Sequence, residues 1–101
     1  MMKFLTIEKI KASLRIDNDY EDELLEVYGE SAEDAALEFL DRTVESLYEQ
    51  YGKIPAPIIQ ACLVRVGTAY KYREDITDRN LYRVPYTWEN LLLPYVPADK
   101  I

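Results

Sequence analysis

The sequence has no histidine, only one cysteine and only three glycines among its 101 residues. Without histidine or a second cysteine, zinc lacks its usual nitrogen and sulfur ligands, an internal disulfide cannot form, and Cys62 has no imidazole to activate it. Three scattered glycines cannot build a phosphate-binding loop. We therefore expect no enzymatic activity, no cofactor and no metal site.

Long apolar runs are missing as well. No stretch approaches the roughly 18 apolar residues of a membrane-spanning helix. The N-terminus reaches Lys3 and Glu8 too early for the apolar region of a signal peptide. A single thiol gives no reason to expect an oxidising compartment. We predict a soluble protein that is made in the cytoplasm and has no membrane partner.

The sequence does contain enough apolar residues for one folded domain, 1–101. The apolar fraction is 49 %, which is typical of globular rather than disordered chains. A domain of this size hides roughly 60–70 % of the surface that its unfolded chain exposes. That allows one modest core but leaves no room for a deep substrate cavity.

Charge is distributed unevenly along the chain. The net charge is −7, and the segment 17–49 holds thirteen acidic residues but a single basic one, Arg42. The segments on either side, 1–16 and 50–101, are mildly basic. Because a nucleic-acid-binding face needs clustered positive charge, this pattern argues against one.

Helical periodicity predicts an all-α fold, a small bundle of about four helices in which one long acidic helix packs on a central apolar helix. A short first helix is expected after the N-cap Thr6 and should end near Arg15 and Ile16, because turn-forming residues follow.

The long acidic helix is expected from about Tyr20, with Asp19 as its N-cap, to Asp41–Arg42. Gly29 lies inside it and allows a bend. The acidic residues are predicted to cover its other faces. Its apolar stripe, formed by residues three or four apart, comprises Leu24, Tyr28, Ala32, Ala35 or Ala36, and Phe39.

The next stretch allows two interpretations. Thr43 could cap a second, shorter helix that runs to about Tyr51, or one continuous helix could pass through both segments. In either case Gly52 supplies the left-handed residue that ends many helices. The central helix is expected to open at Pro55-Ala56-Pro57, because proline is tolerated in a first turn. Its apolar band comprises Ile58, Ile59, Cys62, Leu63, Val66, Ala69 and Tyr70.

The C-terminal segment is expected to be irregular and rich in aromatic residues. Residues 75–86 should form a loop, since Pro85 blocks regular structure. A short helical turn is expected over 88–93, ended by Pro94.

The many carboxylates do not point to a site. The segment 17–21 is similar to the start of a calcium-binding EF-hand loop. Such a loop has glycine at its sixth position and glutamate at its twelfth, where this sequence has Asp22 and Tyr28. Helix capping explains this segment better. A catalytic carboxylate is normally tuned by an apolar pocket or a close partner, whereas these are expected on a solvated face. Cys62, on an apolar helix face, is expected to be structural.

Aromatic residues outside the helical core stripes are the least ordinary feature of the sequence. There are nine tyrosines and one tryptophan, and both residue types are enriched at the centres of protein interfaces. The alternative is that these residues complete a small core under a long loop. We predict an oligomer or partner interface at Tyr72, Tyr82, Tyr86, Trp88, Leu92 and Tyr95.

Several short segments, taken in order, resemble the phage head–tail connector family of the head-completion, DNA-packaging adaptor type. The first is Leu14-Arg15-Ile16-Asp17 with the acidic residues after it, and others lie around Tyr51-Gly52, Pro55-Ala56-Pro57 and Leu91-Leu92. The aromatic-rich stretch 79–88 departs from the family pattern. The positions that carry the resemblance are Leu14, Arg15, Asp17, Gly52, Pro55, Arg73, Glu74, Pro94 and Tyr95.

The resemblance implies a structural role without enzymatic activity. A member of that family would form a homo-oligomeric ring beneath the portal, meet neck or tail proteins, and let DNA pass through its lumen without specific binding. Its place would be the virion neck, after assembly in the bacterial host cytoplasm. The alternative, from the acidic segment 17–49 alone, is a small regulatory or DNA-mimic protein that binds a basic site on another protein.

Overall fold

Five helices and one 3₁₀ turn account for most of the described part of the chain. The computed structural model describes residues 2–71 and 86–97, apart from the side chain of Tyr86. Within these residues there are helices and no strand, so the predicted all-α bundle is confirmed. The helices are α1 (Ile7–Leu14), α2 (Asp22–Leu40), α3 (Val44–Tyr51), α4 (Ala56–Lys71) and α5 (Tyr86–Leu92), and a 3₁₀ turn, Leu93–Tyr95, follows α5.

The core lies where the long acidic helix α2 packs on the apolar helix α4, as predicted. Alanines on both helices let the two backbones approach, and the Cys62 sulfur lies 3.7 Å from the carbonyl oxygen of Ala32. Helices α1 and α5 each contact both members of this pair. The buried apolar side chains of the pair are those of Leu25, Ala32, Ala36, Leu37, Leu40, Ile58, Ala61, Cys62 and Val66.

The buried stripe of α2 differs from the prediction in its first turns. Leu25 and Gly29 are buried, whereas Leu24 and Tyr28 are half-buried at the edge of the stripe. The displacement arises because α1 and the residues before it pack on the Gly29 side of α2. The periodicity of α2 alone does not contain that contact.

One acidic residue of α2 is buried, which corrects the prediction that all of them are solvated. Glu33 is 1 % exposed, and its carboxylate accepts three backbone hydrogen bonds. Oε1 accepts from the N–H of Lys3, and Oε2 accepts from the N–H groups of Phe4 and Leu5, each at 2.7 Å. A buried carboxylate is tolerated only when its oxygens are hydrogen-bonded, so Glu33 fixes the chain that precedes α1.

Gly29 makes room for the same N-terminal segment. A Cβ atom at this position would clash with the Met2 sulfur and would lie 3.0 Å from Cδ1 of Ile10, which is itself fully buried. The glycine therefore serves close packing of α1 on α2.

Two non-glycine residues end helices in the left-handed region. Arg15 (φ 60°) ends α1 near the predicted position, and Asp41 (φ 54°) ends α2. After Asp41 turns the chain, the Thr43 hydroxyl accepts a hydrogen bond from the Ser46 N–H at 3.0 Å and caps α3. The two-helix interpretation is therefore confirmed, and the continuous helix is wrong.

The turn between α3 and α4 follows the prediction. Gly52 (φ 74°) is the left-handed residue that ends α3. The carbonyl oxygen of Pro55 accepts from the Ile58 N–H at 3.0 Å, so Pro57 lies in the first turn of α4.

The C-terminal prediction is tested only in part. Residues 75–85 of the predicted loop lie outside the described residues. Tyr86, which was assigned to that loop, is instead the first residue of α5, and α5 ends at Leu92. Pro94 lies in the 3₁₀ turn that follows, where its missing N–H is not needed.

Replacement of Glu33 by glutamine tests its place in the fold. Glu33→Gln substitutes an amide N–H₂ for one oxygen, so at least one of the three backbone N–H groups loses its acceptor. We expect the free energy of unfolding, measured by urea denaturation, to fall by about 2–4 kcal/mol. The matched control is Glu38→Gln, an exposed acid on the same helix, which should change it by less than about 0.5 kcal/mol. Equal losses in the two variants would contradict the assignment.

Candidate assembly surface

The outer side of α2 forms an acidic face, defined here by Glu23, Val27, Asp34 and Glu38. These four residues fall within one sector of the helix and are exposed. Val27, at 61 % exposure, is an apolar residue surrounded by carboxylates. Lys3 reaches Asp34 at 3.3 Å, but both side chains are largely exposed, so this ion pair stabilises the fold little.

A lysine clamp holds the turn between α1 and α2. The Lys11 ammonium lies 2.6 Å from Asp19 and 2.7 Å from Asp22. The hydrogen bonds to Asp19 and then to Asp22 raise the pKa of Lys11 above its ordinary value. Asp19 is engaged by Lys11 and does not cap α2, whose N-cap is Glu21; the Glu21 side chain makes no capping hydrogen bond and instead accepts from the Tyr70 hydroxyl at 2.7 Å. The predicted N-cap Asp19 and the helix start at Tyr20 are therefore wrong.

Arg42 joins the C-terminal turn to α3. Its Nε–H donates to the Tyr95 carbonyl oxygen at 2.8 Å, and its Nη1 donates to the Ser46 hydroxyl at 3.2 Å. The guanidinium also lies over the Tyr51 ring at 5.9 Å, and Tyr51 packs edge-on against the ring of Tyr95 with centroids 5.5 Å apart. Arginine is suited to this role because its planar group can stack and donate in several directions.

Trp88 is part of the core. It is 7 % exposed, its ring meets Phe39 edge-on at 5.1 Å, and the Arg65 guanidinium lies 4.9 Å above it. Leu92, one turn later on α5, is fully buried. Together they dock α5 against α2 and α4.

The six residues predicted for an interface thus fall into different environments. Trp88 and Leu92 are buried inside the subunit, so the alternative, completion of a small core, describes them better. Tyr95 is half-buried and held by Arg42 and Tyr51. Tyr86 begins α5, and Tyr72 and Tyr82 lie outside the described residues. For these, the interface stays a prediction.

The positions that carry the family resemblance mostly lie at turns. Arg15 and Gly52 are the left-handed residues that end α1 and α3. Leu14 is half-buried beside Gly67 of α4, and its Cδ2 atom would lie 3.7 Å from a Cβ atom added to that glycine. Asp17 is exposed in the turn that follows α1. Pro55 is buried, Pro94 is exposed, and Tyr95 was described above. Arg73 and Glu74 lie outside the described residues.

Helix α3 presents a second surface, the Tyr48 face, defined by Glu45, Tyr48 and Glu49. All three are exposed, and Tyr48 keeps 52 % of its surface accessible. Beside it lies an open cleft of about 500 Å³ lined by Lys3, Leu37, Thr43, Val44 and Glu45.

No catalytic constellation was found among the described residues. Cys62 is buried, and burial raises the pKa of its thiol to about 12, so the reactive thiolate is disfavoured at neutral pH. Residues 2–71 and 86–97 bring no three metal-ligating side chains together. Within the same ranges, no helix combines the length and apolarity that crossing a bilayer requires.

Sequence reasoning missed Glu33 and Arg42. Glu33 is one acid among many, and only its spacing with buried Ala36, Leu37 and Leu40 marks its side of α2. Arg42 carried a clearer signal, because it is the single base in the acidic segment 17–49.

Comparison with known proteins identifies a family. The sequence model for the phage gp6-like head–tail connector protein family matches residues 4–95. No curated protein matches the chain, and no solved structure does.

Substitution of Arg42 by lysine tests whether this residue holds the C-terminal 3₁₀ turn against α3. Arg42→Lys keeps the positive charge but removes the Nε–H that reaches Tyr95. We expect a loss of about 1 kcal/mol in unfolding free energy and faster amide exchange at Val96, whose N–H bonds the Leu93 carbonyl at 3.1 Å. The control is Lys53→Arg, at an exposed base. If amide exchange at Val96 is unchanged in Arg42→Lys, Arg42 does not hold the C-terminal turn in place.

Proposed function

The chain belongs to the family of phage gp6-like head–tail connector proteins, and from that membership we propose that it is the subunit of a homo-oligomeric ring that docks on the portal and continues the DNA channel. The family joins phage heads to tails, which is a structural role that involves contacts with other head and tail proteins. The single observation that carries the proposal is the family match over residues 4–95.

The surface supports ring assembly by offering unlike charges in different places. A ring needs heterologous contacts, in which one patch of a subunit meets a different patch on the next copy. The exposed acids of α3 supply negative surface. The exposed bases Lys9 and Arg15, on and at the end of α1, supply positive surface elsewhere. Such complementarity between neighbouring subunits determines how they align more than it strengthens their binding.

The acidic face of α2 is proposed to line the channel. Carboxylates at Glu23, Asp34 and Glu38 repel DNA phosphates, so the genome could slide past without sticking. The place of action is the virion neck, after assembly in the bacterial host cytoplasm, with the portal and a neck or tail protein as partners. A DNA-mimic protein, the alternative from the charge pattern, would be a monomer or dimer.

Ring assembly is tested by light scattering with negative-stain imaging at several concentrations, alone and with the portal protein of the same phage. We expect rings, and we expect fewer of them as salt rises from about 50 mM to about 500 mM, because the shorter Debye length screens charges between subunits. Rings that are insensitive to salt would reject charge as the source of register. A monomer or dimer in every mixture would reject the ring.

Passage of DNA is tested by a binding titration at physiological salt. The assembled wild type should not bind duplex DNA measurably, whereas Glu23→Lys with Glu38→Lys should bind it, because the channel face would then attract phosphates. The control carries the same two charge changes elsewhere, Asp17→Lys with Glu89→Lys, at residues that are also exposed. Binding by the wild type, or equal binding by both variants, would contradict a channel position for the acidic face.

A further inference from the structure

Helix α3 buries little of its surface, since Leu47 is its one buried residue. Its opposite side carries the Tyr48 face, in which Glu45, Tyr48 and Glu49 are neighbours at spacings of three and four. Tyrosine with half of its surface exposed is the type of residue that anchors interfaces. Within the described residues, neither Glu45 nor Glu49 has a salt-bridge partner.

Helix α1 carries a surface of the opposite kind, named here the Lys9 face: Lys9, Ala12, Ser13 and Arg15. All four are exposed, and the first three have the same spacing of three and four as the Tyr48 face. Ala12 and Ser13 are small, so the middle of this face is flat. Lys9 and Arg15 lie on either side of it, and no described residue forms a salt bridge with them.

We propose that the Tyr48 face of one copy docks on the Lys9 face of the next copy. The Tyr48 ring would cover the flat centre formed by Ala12 and Ser13, and the carboxylates beside it would meet the bases of α1. This contact rests on the proposed function, because it supplies the subunit–subunit interface of the ring. Charge favours the Lys9 face as the surface that meets the Tyr48 face. The turn around Tyr20, the most exposed tyrosine described, is acidic, so Glu45 and Glu49 would repel it.

The helices that carry the two faces adjoin α2 at different positions, as a head-to-tail contact requires. α1 contacts α2 at Gly29, where the Ile10 side chain approaches the helix. α3 begins after Leu40, the last residue of α2. At 1.5 Å per residue, these points are roughly 16 Å apart along the helix axis. Each copy therefore presents both halves of the contact at once, and repetition can close a ring.

Charge reversal at one residue of each face tests the contact. Lys9→Glu places an acid near the start of α1, and Glu49→Lys places a base near the end of α3, so both changes suit the helix dipoles and should leave folding intact. We expect each single variant to need about tenfold more protein for half-assembly, and the double variant to recover, because the reversed charges attract again. Tyr48→Ser should also weaken assembly.

Matched controls separate this contact from general effects of charge or tyrosine content. Lys53→Glu, Glu38→Lys and Tyr20→Ser change exposed residues outside both faces and should assemble as the wild type does. The readout is sedimentation velocity across a concentration series, with circular dichroism to verify folding.

The outcomes distinguish this inference from the proposed function. If the wild type assembles and the Lys9, Tyr48 and Glu49 variants behave as the controls do, the contact is wrong while the ring stands. If both single reversals weaken assembly but the double variant does not recover, the faces do not pair with each other. If the reversals spare self-assembly but abolish binding to the portal protein, the Tyr48 face belongs to that partner. A wild type that never self-associates overturns the contact and the ring together.

Discussion

The carboxylate of Glu33 is the interaction on which the arrangement of the helices depends. Three consecutive backbone N–H groups that no helix satisfies end on its two oxygens, inside the protein. This places Leu5 in the core and sets the position from which α1 starts. Gly29, one turn earlier on α2, leaves the space that the incoming chain fills. Without Glu33 the chain before α1 would lose its hydrogen bonds, and without Gly29 it would lose the space in which it packs. The exposed bases of α1 would then have no fixed orientation.

A second fixed point lies at the other end of α2. Asp41 turns the chain, and the next residue, Arg42, holds both the start of α3 and the 3₁₀ turn after α5. The segments around Tyr51-Gly52 and Pro94-Tyr95, far apart in sequence, therefore meet through one guanidinium. Two segments that carry the family resemblance thus lie side by side in the fold.

Local patterns predicted the local structure well, because helix ends depend on neighbouring residues. Thr43 as a cap, Gly52 as a left-handed residue and the prolines at the start of α4 act on backbone only a few positions away. Long-range packing was not predictable in the same way. The spacing of Glu33 with Ala36, Leu37 and Leu40 indicates its side of α2 but not its hydrogen bonds, since its partners lie about 30 residues earlier. The burial of Trp88 likewise depends on Phe39 and Arg65, which belong to other helices. Of the candidate surface, the charge asymmetry was readable in advance, whereas the outward direction of Tyr48 required the fold.

Because Arg65 stacks on Trp88, the tryptophan is an intrinsic fluorescent probe of its surroundings. Trp88 is the chain's one indole, and it is enclosed where α5 meets α2 and α4. A cation over the ring and exclusion of water both alter the emission of an indole, so its fluorescence depends on how firmly α5 is seated. The intrinsic fluorescence of Trp88 therefore reports on the docking of the C-terminal helix without any added dye.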